Sequence, residues 1–289
     1  MLHLIHSSDR PSVVTYHSDI IKQKRLFWLY RPLMNRLFSN VQEIIATSQN
    51  YFETSDVLSQ YREKVSVIPI GIDRASYPSV SQERLNKWRS RVGENFFLFV
   101  GVLRYYKALH VLIDAIRGAE HRTVIAGSGP VEASLKKKAA DLGLRNIDFV
   151  GFIEEEDKVA LLTLCRAVVF SSNQRTEAFG ISLLEGAMFG KPMISSEIGT
   201  GTSFINVDKK TGFVVPPNDP LALRAAMDEL HNNEKIVVEM REAAYERYLS
   251  HFTGDKMGKS YVELYRRLSH KKSGITVTTA DSSLNSYID

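Results

Sequence analysis

Glu177 and Glu185 stand on either side of a point where loop gives way to a helical pattern, Glu177-Ala178-Phe179-Gly180-Ile181-Ser182-Leu183-Leu184-Glu185. The first turn of a helix offers backbone N–H groups that no intrahelical acceptor uses, and its dipole favours an anion there. Gly180 lets a phosphate approach that backbone closely. Glu185 falls about one turn into the helix. From there a carboxylate accepts hydrogen bonds from a ribose diol. Glu177 sits at the loop tip and reaches whatever the diphosphate carries. The chemistry suggested is recognition of a nucleoside diphosphate and its substituent. The same spacing also describes an acid-rich helix start with Glu185 on the surface.

A second segment, Gly101-Val102-Leu103-Arg104-Tyr105-Tyr106-Lys107-Ala108, joins a strand pattern to a helix pattern. Arg104 and Lys107 at such a crossing suit a diphosphate, because cations neutralise the charge that develops on a leaving group. Two solvated cations beside a loop are the plainer alternative. The third candidate is His17, at the polar end of Val13-Val14-Thr15-Tyr16 and followed by Asp19. Open parallel sheets bind ligands at the carboxyl ends of their strands; a lone histidine there is otherwise a surface residue. Ser48 and Asn50 either contact a ligand or cap the helix that follows.

These residues need a scaffold, and the chain supplies one. Strands are expected at 96–103, 121–130, 146–153, 167–172, 191–196 and 211–217, and helices at 110–118, 131–143, 154–166, 179–190 and 219–230. Such alternation with short glycine-rich connections predicts an α/β fold with a doubly wound parallel sheet. We place it at 65–250. Residues 1–64 hold about one βαβα unit, with strands at 11–19 and 41–50 and helices at 20–38 and 50–61, too little for an independent lobe. A C-terminal helix is expected over 251–270. The Ser/Thr-rich tail 271–289 has no apolar face and is expected to be disordered.

Composition narrows the class. With 289 residues, 44% of them hydrophobic, the chain can bury a substantial core. A net charge of +4 permits a phosphate-bearing ligand or an anionic surface and demands neither. No apolar run reaches the roughly 18 residues that span a bilayer. The opening residues lack an apolar core segment and are not read as a signal peptide. Cys165, the one cysteine, lies in an apolar stretch and reads as a buried structural thiol in a reducing, cytoplasmic setting. Residues 20–38 carry Lys22, Lys24, Arg25, Arg31 and Arg36 among apolar residues and no acid. This is a basic amphipathic helix suited to an anionic membrane surface, with a kink expected at Pro32. No nucleic-acid-binding motif accompanies the charge.

The run E-x-F-G-x-x-x-x-E, with G-x-x-x-G-x-P after it, resembles the signature of family 4 retaining glycosyltransferases, which have the two-lobed GT-B fold. The resemblance covers about residues 10–270. It implies that Glu177 contacts the transferred sugar and Glu185 the ribose, and that Phe179, Gly180 and Ile181 present the helix start to the diphosphate. In the family pattern G-R-L-x-x-x-K-G, Lys107 matches. Val102 occupies the usual arginine position and Ala108 the final glycine, so Arg104 is the substitute cation. Thr15-Tyr16-His17 is similar to a T-x-H that ends an acceptor-lobe strand and puts His17 across the cleft from the donor sugar. Pro69-Ile70-Gly71-Ile72-Asp73 resembles the crossing into the donor lobe, with Gly71 permitting a turn near the phosphates. The implied architecture is one complete donor domain and a partial N-terminal Rossmann-like lobe, truncated relative to the family. The wording most resembles bacterial mannosyltransferases of lipopolysaccharide O-antigen assembly. That implies GDP-mannose as donor, a lipid-linked glycan as acceptor at the cytoplasmic face of the inner membrane, and no metal, the chain having no D-x-D. A catalytically incomplete remnant or subunit that binds nucleotide-sugar without transferring it is the alternative. An epimerase of the same fold is a third, against which the glutamate pair speaks.

Overall fold

The computed structural model describes residues 11–20 and 24–272. Its N-terminal lobe is a parallel sheet of β1 (Val13–Tyr16), β2 (Glu43–Ala46) and β3 (Val65–Val67), in that order. Strand alternation sorts the side chains of β2. Ile44 and Ala46 pack with Met34 and Phe38 of α1 (Lys24–Asn40), Tyr51 of α2 (Gln49–Thr54) and Leu58. Ile45 faces the other way, onto Leu264 and Leu268 of α11 (Gly254–Lys272). α1 runs through Pro32 as one helix.

The boundary expected at residue 65 is corrected. Val65 pairs with Ile44 and Val67 with Ala46, so residues 65–67, which fall within the expected donor domain, form a third strand of the N-terminal sheet instead. Lys64 holds it there: its ammonium donates to the carbonyls of Ser39 (2.7 Å) and Val41 (3.1 Å) at the C-terminal end of α1, where a cation is favoured.

The second lobe is a parallel sheet of β4 (Phe97–Val100), β5 (Thr123–Ala126), β6 (Ile147–Gly151), β7 (Ala167–Phe170), β8 (Met193–Ser196) and β9 (Gly212–Val215), ordered β6-β5-β4-β7-β8-β9. Its helices are α3 (Gln82–Val92), α4 (Leu109–Ala115), α5 (Glu132–Asp141), α6 (Glu155–Leu164), α7 (Ile181–Met188), α8 (Gly201–Ile205), α9 (Pro220–Asn232) and α10 (Glu234–His251). Phe97 and Phe99 enter one core with Ile125 and Val169, and Leu98 the other with Val124 and Val168. Burial on both faces is what makes these strands continuous apolar runs. The strand order reverses between β4 and β7, and a doubly wound sheet binds its ligand at the carboxyl ends beside that reversal.

The lobes are joined by two crossings that run side by side. The Ile72 N–H donates to the Phe252 carbonyl (2.9 Å), and the Tyr248 hydroxyl to that of Ile72 (3.0 Å). α11 then returns over the N-terminal sheet. Cys165 is buried, and desolvation pushes its thiol up to about 11, so it stays protonated and structural at neutral pH. No helix among the described residues is long and apolar enough to cross a membrane. α11 extends to Lys272, and the disordered-tail expectation for 273–289 lies outside the described residues.

Candidate functional site

The loops that follow β4 and β7 leave adjacent strand ends at the sheet reversal, and they are bonded to each other. The Ser171 hydroxyl donates to the Lys107 carbonyl (2.9 Å), and the Asn173 N–H to the Tyr106 carbonyl (3.0 Å). This brings Lys107 onto Glu177, to which it is ion-paired. Both side chains are mostly buried, 11% and 13% exposed. The ammonium also lies 4.5 Å from the Phe170 ring centroid. A cation so enclosed acts through a low local dielectric. Ala108 explains the family glycine it replaces: it is left-handed (φ 50°, ψ 36°) and buried. That conformation costs a residue with a Cβ roughly 1–2 kcal/mol. Arg104 lies exposed at the start of the same turn and forms no ion pair among the described residues; Val102 is half exposed.

Phe179 is buried, and Gly180 caps α7 with φ +100°. A Cβ there would lie 3.3 Å from Leu183 and 3.5 Å from Thr202, in a region L side chains rarely adopt. The Ser182 hydroxyl donates to the Val100 carbonyl (2.8 Å) and pins the helix start to the end of β4. Ile181, 41% exposed, opens the first turn, and no side chain caps it at Gly180.

Glu185 is buried, not a surface acid, and held by residues the sequence did not single out. Its Oε1 accepts from Tyr77 Oη (2.9 Å) and Lys158 Nζ (2.6 Å). Oε2 has no protein donor among the described residues, which leaves one carboxylate oxygen for a ligand. Lys158 also pairs with Glu155 (2.7 Å) and lies 5.1 Å from the Tyr77 ring centroid. Burial pulls the Lys158 ammonium down, but its hydrogen bonds to Glu155 and Glu185 outweigh that and raise it. Burial, with Glu185 alongside, holds the Tyr77 phenol protonated, so both remain donors. No local motif marks Tyr77 or Lys158; they meet Glu185 through the fold.

Gly71 packs at the lobe crossing. A Cβ there would lie 2.3 Å from the Thr253 carbonyl oxygen, so the demand for glycine comes from that backbone and needs no phosphate to account for it. Ser48 caps α2, accepting from the Tyr51 N–H (3.1 Å), and Asn50 donates to Ser203 (3.0 Å) across the lobes. His17 is exposed just beyond β1. Its neighbour Tyr16 and Glu177's neighbour Ala178 share one apolar cluster, so the two loops flank the same contact between lobes.

Two α/β lobes with paired crossings, and anion-suited loops at the sheet reversal of the second, define a GT-B fold. HepE of Anabaena in complex with UDP has this fold (TM-score 0.78, 21% identity, 89% of this chain and 72% of that one). So does sucrose-phosphate synthase of Thermosynechococcus elongatus (TM-score 0.75, 20% identity, 90% and 68%). Within the fold the family is also clear: residues 80–247 match glycosyl transferases group 1, and the chain belongs to that family. It is 56% identical over 253 residues to D-rhamnosyltransferase WbpZ of Pseudomonas aeruginosa, covering 88% of this chain and 66% of that protein. It is 51% identical over 273 residues to the O-antigen chain mannosyltransferase C of Escherichia coli, covering 94% and 73%. The chain thus spans just under two thirds of the first of these relatives.

Proposed function

We propose that this chain binds a nucleotide-sugar and transfers its sugar, with retention, onto a lipid-linked glycan of O-antigen. The observation that carries the reading is the convergence of Lys107, Glu177 and the α7 start on the sheet reversal, with Glu185 one turn deeper. In this reading the first turn of α7, Lys107 and Arg104 neutralise the departing diphosphate. Glu185 takes the ribose, and Glu177 and His17 flank the sugar. The relatives' names differ in the sugar, but D-rhamnose is 6-deoxy-D-mannose, so both keep the manno configuration. GDP-mannose is therefore the first donor, and GDP-D-rhamnose the second. The test is calorimetric titration with both, GDP and UDP-glucose, followed by a transfer assay on a polyprenyl-diphosphate glycan. Saturable binding of a GDP-sugar and turnover are expected. A folded sample that binds no nucleotide sinks the reading; binding without turnover favours the incomplete-subunit alternative.

We also propose that α1 docks the enzyme on the cytoplasmic face of an anionic membrane, where such an acceptor lies. Trp28, Leu29 and Leu33 are 75%, 68% and 47% exposed, beside exposed Arg31 and Arg36. Lys22 and the side chains of Lys24 and Arg25 lie outside the described residues. Each cation near an anionic surface contributes about 1 kcal/mol. Co-sedimentation with vesicles containing phosphatidylglycerol, and little with phosphatidylcholine alone, is the expected result. Equal sedimentation with both, or no loss in a Trp28→Ser/Leu29→Ser/Arg31→Glu variant, removes this proposal and leaves the donor site untouched.

A further inference from the structure

Arg175 lies two residues before Glu177 on the loop between β7 and α7, and its guanidinium crosses to the other lobe. Nη2 donates to Asp19 Oδ2 (3.2 Å), and Nη1 to Thr54 Oγ1 (2.7 Å) and the Gly199 carbonyl (2.6 Å). Its carbon sits 5.0 Å from the Tyr51 ring centroid. Asp19, two residues after His17, is fixed from its own side. Its Oδ1 accepts from Tyr16 Oη (3.0 Å) and Ser55 Oγ (2.7 Å), and its N–H donates to Tyr51 Oη. Burial pushes the Tyr51 phenol up to about 12, so it stays protonated. Arg175 and Asp19 are 27% and 17% exposed, shielded enough for the pair to escape most solvent screening.

We propose that Arg175 is a positioning residue: it ties the strand end bearing His17 to the loop bearing Glu177 and so fixes the width of the cleft between them. The inference rests on the glycosyl-transfer reading above. The planar guanidinium suits this task because its rigid fork meets several acceptors at once, which a lysine ammonium on a flexible stem does not. The nucleotide side of the site has its own supports besides the Lys107–Glu177 pair. The Lys107 turn is held by the Ser171 hydroxyl on the Lys107 carbonyl and the Asn173 N–H on the Tyr106 carbonyl, the α7 start by Ser182, and Glu185 by Tyr77 and Lys158. Arg175 therefore acts first on the sugar-transfer geometry and changes donor affinity little as long as the Lys107–Glu177 pair stays closed. A packing role alone would instead lower stability and all functions together.

The experiment compares wild type, Arg175→Gln, Arg175→Lys, Asp19→Asn and the Asp19→Asn/Arg175→Gln double variant. Each is measured for GDP affinity, kcat, donor KM and Tm, and for amide exchange at 16–19 and 199–203. A misplacement of about 1 Å costs on the order of a hundredfold in rate. We expect kcat to fall about 10- to 100-fold in each single variant. GDP affinity should shift less than about twofold, or about 0.4 kcal/mol. The double variant should be no slower than the singles, because both break one tie. Exchange should quicken at both segments. Unchanged kcat in a wild type that turns over, or kcat and GDP affinity falling together with Tm, overturns the proposal and leaves the function reading standing. A wild type that neither binds GDP nor turns over removes the function reading, and this inference with it.

Discussion

Glu185→Ala is expected to weaken GDP binding about 10- to 100-fold, since hydrogen bonds to a charged group contribute roughly 1.5–3 kcal/mol each and 1.4 kcal/mol is a tenfold change. The geometry explains why the loss should be large. Tyr77 and Lys158 both hold Oε1, which restrains the carboxylate and leaves Oε2 without a protein donor among the described residues. A preorganised acceptor spends little entropy on ligand binding. The substitution also deprives Lys158 of one of two carboxylate partners in a mostly buried setting, so a lower Tm is expected alongside. Tyr77→Phe separates the effects. It keeps both charges and removes one donor while Lys158 still holds Oε1, so GDP binding, which loses no direct contact, should weaken by about tenfold or less. Calorimetry on the three proteins checks this. Affinity unchanged in Glu185→Ala would remove the ribose assignment, whatever the Tm does.

Much of this arrangement was legible in the sequence, for identifiable reasons. The second sheet showed itself because burial on both faces turns its strands into uninterrupted apolar runs, Phe97–Val100 and Ala167–Phe170 among them. The loops with Lys107 and Glu177 drew attention through their place at strand-to-helix crossings and through the resemblance of E-x-F-G-x-x-x-x-E and of Lys107's segment to the family patterns. α3 did not. Only Trp88 and Val92 are buried there, within an otherwise polar helix. Its place is set by bonds from Trp88 Nε1 and Arg84 to Asp157 (2.8 Å each), far along the chain. β3 was not expected as a strand at all, because three residues carry no sheet address; only pairing with β2 supplies one. The same holds in the site. Lys107 and Glu177 are each readable alone, whereas their mutual ion pair, and the grip of Tyr77 and Lys158 on Glu185, exist only once the strands are ordered.

That ion pair leads to an expected result with two opposite signs. In the structure Glu177 neutralises Lys107, the cation that a diphosphate would need. A bound diphosphate is then a second anion on one enclosed ammonium, and unscreened like-charge contacts cost several kcal/mol. Glu177→Gln keeps the shape and an acceptor oxygen but removes the charge. GDP should therefore bind more tightly, by about tenfold, which needs only about 1.4 kcal/mol of that repulsion to be relieved. Sugar transfer should fall on the order of 100- to 1000-fold, the usual cost of removing one polar group from the reacting centre. Without ligand the variant leaves Lys107 mostly buried and uncompensated, and is expected to be less stable than wild type. GDP should restore that stability more strongly than it stabilises wild type, because the diphosphate supplies the missing anion. Lys107→Met is the contrast, since it removes the cation itself and should weaken GDP and transfer together. If Glu177→Gln weakened GDP binding as Lys107→Met does, the two residues would act as one binding unit. Glu177 would then hold Lys107 in place for the diphosphate, and the competition argued here would be wrong.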